Sequence, residues 1–142
     1  MNTEQLRIVS LFLLAMFFAL YFYTDNQQDY FDQNARPQAE RMVQIISRWN
    51  KADLLSQLSD DARQTLSNEQ LDKLLEHYRQ FGELKSVGEL QFSKLVSALS
   101  LFGSQRINYK GTATYSSGPA NINMTLVPDG GGYKIYNFTI SR

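Results

Sequence analysis

Sixteen consecutive residues near the N-terminus, Ile8 to Tyr23 (IVSLFLLAMFFALYFY), carry no charge, and Ser10 is their only polar group apart from the tyrosine hydroxyls. Coiled as an α-helix, such a run is apolar on every face, so it must be buried in a protein core or in a bilayer. Nothing later in the chain could cover all of its faces. At about 1.5 Å per residue, the hydrocarbon core of a bilayer takes roughly 17–25 residues. Thr24 and the flanking Gln5–Leu6 extend the run toward that length, and Tyr21 and Tyr23 stand where interfacial aromatic residues are favoured. Residues 8–24 are therefore expected to be a transmembrane anchor.

The competing expectation is a cleaved signal peptide, whose apolar core of about 7–15 residues is followed by a small-x-small site. Here the run is followed by Thr24, Asp25, Asn26 and Gln27, and Ala19 is followed by Leu20 and Tyr21, so an uncleaved signal-anchor is the better expectation. The leader, residues 1–7, carries Arg7 and the α-amino group against Glu4, whereas Thr24 to Ala35 has no Lys or Arg. Basic residues near a span stay on the cytoplasmic side. The N-terminus is thus expected inside and the rest of the chain outside. Ala15 and Ala19 form a small-xxx-small pair, a spacing that lets two helices approach closely and so a candidate for pairing within the membrane.

Composition removes several classes of function. Fourteen Lys+Arg balance fourteen Asp+Glu, which leaves no basic footprint for nucleic acid. With no cysteine there is no disulfide framework, thiolate metal site or thiol nucleophile. A chain of 142 residues suits one domain, and the part beyond the span is long enough to hold a core without staples.

Residues 25–36 (DNQQDYFDQNAR) read as a polar linker or as a continuation of the anchor helix, with Tyr30 and Phe31 as isolated apolar points. Pro37 disfavours helical geometry at Arg36 and suits the first turn of a new helix. An extracytoplasmic domain is expected over 37–142. Met42, Val43, Ile45, Ile46 and Trp49 follow the helical period. A shorter segment through Leu54, Leu55 and Leu58 stops near Ser59-Asp60-Asp61, with a further turn through Ala62 and Leu66. Ser67 to Gln70 is a capping-box candidate opening the stripe Leu71, Leu74, Leu75, Tyr78 and Phe81, and Gly82 supplies a helix stop. That makes about three helices.

After Gly82 the period changes. Leu84 to Phe92 reads as a first strand, and Ser93 to Phe102 fits either a short helix or a strand. Ile107 to Tyr115 and Ala120 to Leu126 alternate apolar with polar residues around a Ser116–Pro119 turn, and Asp129–Gly132 turns into a last strand, Tyr133 to Ile140. In that strand Tyr133 and Ile135 share one parity and Phe138 and Ile140 the other, so a β-bulge near Tyr136-Asn137 is expected to bring all four to one face. The fold class is α+β: about three helices packed on an antiparallel sheet of about four strands.

Trp49 in an early helix, the FGELKS end of a helix (Phe81–Ser86), the GTATY strand (Gly111–Tyr115), NINMTL and the closing GYKI-x-x-F-x-I (Gly132–Ile140) together resemble the small bacterial secreted or membrane-tethered domains of the nuclear-transport-factor-2-like superfamily, cystatin-like in fold. The resemblance implies a curved sheet wrapped on helices around a conical cavity. It also implies a bacterial inner-membrane setting, with the domain in the periplasm. Some members are isomerases or hydrolases, and many short ones have no known activity. One span followed by such a domain also occurs in an inner-membrane subunit of type IV secretion machines.

Groups that would carry chemistry are sparse. His77, the single histidine, lies off its helix's apolar stripe, and no second imidazole or thiolate exists to complete a metal site, so no metal or cofactor is expected. Asp60-Asp61 lacks the spacing of a calcium loop, and the Gly130–Gly132 run joins two strands without a following helix. Glu89 is the one carboxylate whose side of the sheet the pattern leaves open. The expected function is a non-enzymatic interaction or accessory subunit of a cell-envelope assembly, with an envelope protein or a second copy of the chain as partner. The alternative is a binder of a small apolar ligand in a pocket of Met42, Ile46, Trp49, Tyr78, Tyr109, Tyr115 and Tyr133. An isomerase- or hydrolase-type enzyme relying on Glu89 is the remaining reading.

Overall fold

The N-terminal helix does not stop where the apolar run stops. In the computed structural model, which describes residues 2–93 and 105–142, helix α1 (Thr3–Asn34) passes through the polar connector, and α2 (Arg36–Ile46) follows after one residue. Thr3–Tyr23 is long and apolar enough to cross a membrane, and none of it is buried against the rest of the chain. Ala35 keeps right-handed helical backbone. Its N–H bonds to the Phe31 carbonyl at 2.8 Å, and the Ala39 N–H bonds to the Ala35 carbonyl at 2.8 Å. Pro37 has no N–H to give, and its ring crowds the carbonyl four residues back, which accounts for the one-residue break.

The end of α1 belongs to the core. Phe31, Ala35, Ala39, Met42, Val43 and Ile46 are all buried. Their spacing of three or four residues makes one stripe that runs straight through Pro37. The connector is therefore helical, and its last turn is an integral part of the domain.

Among the described residues four helices follow the connector, where about three were expected: α2, then α3 (Lys51–Gln57), α4 (Asp60–Thr65) and α5 (Asn68–Arg79). The extra break falls at Leu58-Ser59, where the chain leaves helical geometry to meet the sheet edge. Leu58 bridges Ile135, and the Ser59 N–H bonds to the Ile135 carbonyl at 2.8 Å. The Ser59 hydroxyl then caps α4 by accepting the Ala62 N–H at 3.2 Å. The capping box at Ser67 and Gln70 is present as expected.

Among the described residues the sheet has five antiparallel strands, where about four were expected: β1 (Leu84–Val87), β2 (Gln91–Phe92), β3 (Ile107–Tyr115), β4 (Gly118–Asp129) and β5 (Gly132–Ser141). Both β1 and β2 pair with β3, and β4 and β5 follow in order. The expected first strand is split at Gly88–Leu90, because Leu90 turns inward over Gly111. A Cβ on Gly111 would stand 2.7 Å from Leu90 Cδ2, so only glycine admits that approach. The ambiguous segment after Ser93 lies outside the described residues.

The expected bulge is present. Leu126 pairs with Ile135 and Thr125 with Asn137, which leaves Tyr136 as the extra residue. Ile135 and Ile140 are buried, and Tyr133 and Phe138 pack against the same core. Ile107, Tyr109, Ala113, Tyr115, Ile122, Met124 and Leu126 line the helix-covered face. On the opposite face Lys110, Thr112, Thr114, Asn121 and Asn123 are exposed. Asn108 and Thr125 depart from the expected alternation, being buried although they belong to that polar face. The Asn108 amide donates to Asn123 Oδ1 at 2.7 Å and to Thr125 Oγ1 at 3.0 Å.

Helix and sheet run in the same sense. Phe31 meets Tyr109 at one end, and Ser47, at the end of α2, meets Tyr115 at the other, with 2.9 Å between the two hydroxyls. The sheet thus has an end proximal to the apolar run, carrying Tyr109, Tyr133 and the β4–β5 turn. Its distal end carries Trp49, Tyr115 and the close of β5.

Candidate functional site

At the proximal end three elements converge. The Tyr109 hydroxyl donates to the Phe31 carbonyl at 2.8 Å. The Phe31 ring lies 5.8 Å from that of Phe92, and 6.5 Å from that of Tyr133 in an edge-on arrangement. One turn further, the Arg36 guanidinium reaches Asp32 at 2.8 Å and Glu89 at 3.3 Å, tying α1, α2 and the β1–β2 link together. Burial pushes the Tyr109 phenol well above the ordinary tyrosine range, and the charge of Asp32 adds to the shift. Tyr133 is also raised, by burial and then by Tyr30.

The distal end is an aromatic cluster. Trp49 stacks on Tyr78 with 6.0 Å between ring centroids and lies 5.6 Å from Tyr115. Its indole N–H donates to the Gly82 carbonyl at 2.8 Å. Trp49 itself has φ +55°, a left-handed backbone that a bulky residue adopts only when its surroundings compel it. Here the stacking and the indole hydrogen bond supply that constraint, and the Arg79 guanidinium also donates to the Trp49 carbonyl at 3.3 Å. Burial raises the pKa of Tyr78 and Tyr115. The Ile140 N–H in the first case and the Ser47 hydroxyl in the second pull partly the other way.

The seven residues expected to share a pocket are therefore distributed along the whole helix–sheet interface. Tyr109 and Tyr133 are at the proximal end, Trp49, Tyr78 and Tyr115 at the distal end, and Met42 and Ile46 lie on α2. Met42, Ile46, Tyr78, Tyr109 and Tyr115 are each at most 5% exposed, packed against one another and the sheet. Among the described clefts, only Trp49 and Tyr133 of the seven reach a surface. Trp49 lines an open cleft of about 530 Å³ with Gln44, Ser47, Arg48 and Glu83. Tyr133 lines one of about 330 Å³ with Tyr30, Phe31, Gln105 and the β4–β5 turn.

Glu89 points outward, with its side chain 73% exposed and paired to Arg36, so it does not enter the helix–sheet interface. His77 is exposed, and its ring lies against Tyr78 and Phe81. Among the described residues no group of three or more His, Asp or Glu is placed to hold a metal ion. Ala15 and Ala19 are both exposed on α1.

Sequence reasoning missed Phe31, Asp32 and Arg36 as the joint between helix and sheet. The signal was there: Phe31, Ala35, Ala39 and Met42 continue the buried stripe of α2 backwards. Pro37 concealed it, because proline usually marks a helix start. No protein-family model matches the chain, and no curated protein and no solved structure matches it.

Proposed function

We propose that the chain is a single-span membrane protein that holds a small α+β domain outside the cytoplasm, as a non-enzymatic interaction or accessory subunit of a cell-envelope assembly. One observation carries this reading: α1 runs without interruption from an apolar stretch with no buried residue to Phe31 in the core. A cleaved signal sequence ends in a small-x-small site, which the residues after Tyr23 lack. Here the residues after Tyr23 are helical as far as Asn34. Arg7 before the span, against no Lys or Arg from Thr24 to Ala35, favours an inside N-terminus. On this reading, and with the setting that the resemblance implies, the domain lies in the periplasm of a bacterial inner membrane.

We also read the fold as nuclear-transport-factor-2-like. Helices on one face of an antiparallel sheet, and the bulge at Tyr136 that bends β5, support this. The apolar-ligand alternative gains no comparable support, because most of its residues are packed against one another. The test is a mild-detergent pull-down of the full-length protein against a control lacking Ile8–Tyr23, read by mass spectrometry. A stoichiometric membrane partner that depends on the span supports the reading. A partnerless protein, or one that retains its partner without the span, counts against it.

A further inference from the structure

The proximal cleft sits at a height that follows from helix geometry. From Tyr23, the last residue of the apolar stretch, to Tyr30 is seven residues of continuous helix, or about 10 Å of rise. Helical side chains lean toward the N-terminus, so the ring of Tyr30 reaches back toward the membrane from that level. The polar zone on each side of a bilayer is roughly 5–8 Å deep. The cleft formed by Tyr30, Phe31, Tyr133 and the β4–β5 turn therefore faces the headgroup layer whenever α1 spans the bilayer.

Its chemistry is that of a cation site. Tyr30 is 59% exposed, unusual for a large aromatic residue beside a core. Its ring stands edge-on to Phe31 at 5.2 Å, and Phe31 is in turn edge-on to Tyr133, so the rings of Tyr30 and Tyr133 flank a nearly buried Phe31 in the cleft wall. Asp129 supplies an exposed carboxylate at the rim, and Asp29 is exposed one residue before Tyr30. Among the described residues neither carboxylate is in an ion pair, and no Lys or Arg lines this cleft. The turn beside it is Gly130-Gly131-Gly132, and a Cβ on Gly130 or Gly131 would meet nothing within 4 Å among the described residues. Aromatic faces with an adjacent carboxylate attract ammonium groups and repel anions. At about 330 Å³ the cleft is at the small end of ligand sites, the size of a headgroup rather than of an acyl chain.

We propose that this cleft seats the ammonium group of a zwitterionic phospholipid headgroup, fixing the proximal end of the domain against the membrane surface. The proposal rests on α1 spanning the bilayer, and its test separates the two. The chain has no cysteine, so single labels are unambiguous. Spin labels at Phe12→Cys and at Pro128→Cys are placed in the full-length protein, which is reconstituted in phosphatidylcholine or in phosphatidylglycerol vesicles. Oxygen and a water-soluble nickel chelate then report depth. The expected result is a Phe12 label in the hydrocarbon in both lipids. The Pro128 label should be shielded from nickel several-fold more in phosphatidylcholine, and Tyr30→Leu or Asp129→Asn should abolish that difference. A buried Phe12 label with a Pro128 label equally open in both lipids, or equally shielded in both, overturns the headgroup site and leaves the span standing. A Phe12 label open to nickel overturns both.

Discussion

The hydroxyl of Tyr109 in β3 donates a 2.8 Å hydrogen bond to the carbonyl of Phe31 in the last turn of α1, across 78 residues of chain. Both residues are almost wholly buried, and the bond fixes the helix that carries the apolar stretch to the centre of the sheet. Tyr109→Phe removes the donor, while the Phe31 carbonyl keeps the Ala35 N–H. The cost should therefore be about 1 kcal/mol. In thermal unfolding of the full-length protein in detergent this lowers Tm by about 4 °C.

Stability should fall at alkaline pH. Tyr78, Tyr109, Tyr115 and Tyr133 all have pKa values raised above the ordinary 10.0, chiefly by burial, so the fold favours their neutral forms. That contribution is complete below pH 10, where the unfolded phenols are also neutral. It is lost as pH rises toward the raised values and the unfolded chain gains by ionising. Denaturant midpoints should be level from pH 7 to 9 and then decline. Tyr109→Phe should decline less steeply, since Tyr109 carries the largest shift.

Continuity of α1 and α2 predicts a fixed length. Asn26 and Gln44 are both exposed, and eighteen residue steps separate them, or about 27 Å if the axis runs straight through Ala35. Spin labels at Asn26→Cys and Gln44→Cys should give one narrow distance distribution near that value by pulsed electron resonance. A hinge at Ala35–Pro37 would give a broad distribution.

Gly82, after α5, has φ +81°, and a Cβ there would collide with the Ser116 hydroxyl, which accepts the Glu83 N–H at 3.0 Å. Gly82→Ala should cost about 2 kcal/mol or more, part of it the left-handed backbone and part the collision. Ser116→Gly in the same chain should restore only the second part, so the two substitutions will not add.

The sequence made some features legible because they obey a single period. The parity switch between Ile135 and Phe138 located the bulge at Tyr136, since a core-facing strand cannot change sides without one. Ser67 and Gln70 announced α5 through local hydrogen bonding alone. What periodicity cannot express is long-range. It assigned Tyr78, Tyr109 and Tyr115 correctly to inward faces. Whether inward side chains leave a space or fill it depends on the packing of helices against them, and here they fill it. Glu89 was ambiguous because Leu90 drops over Gly111 and breaks the strand on either side of it. Asn108 and Thr125 read as solvent-facing by alternation, yet they are buried and bonded to each other.

A membrane-held domain requires α1 to stay attached to the domain it enters. The direct measurement is the intact mass of residues 1–142, expressed in a bacterium without an added tag and recovered after alkaline carbonate washing. The prediction is a chain of 16.3 kDa that remains with the membranes. A soluble product that begins beyond Tyr23 would contradict it.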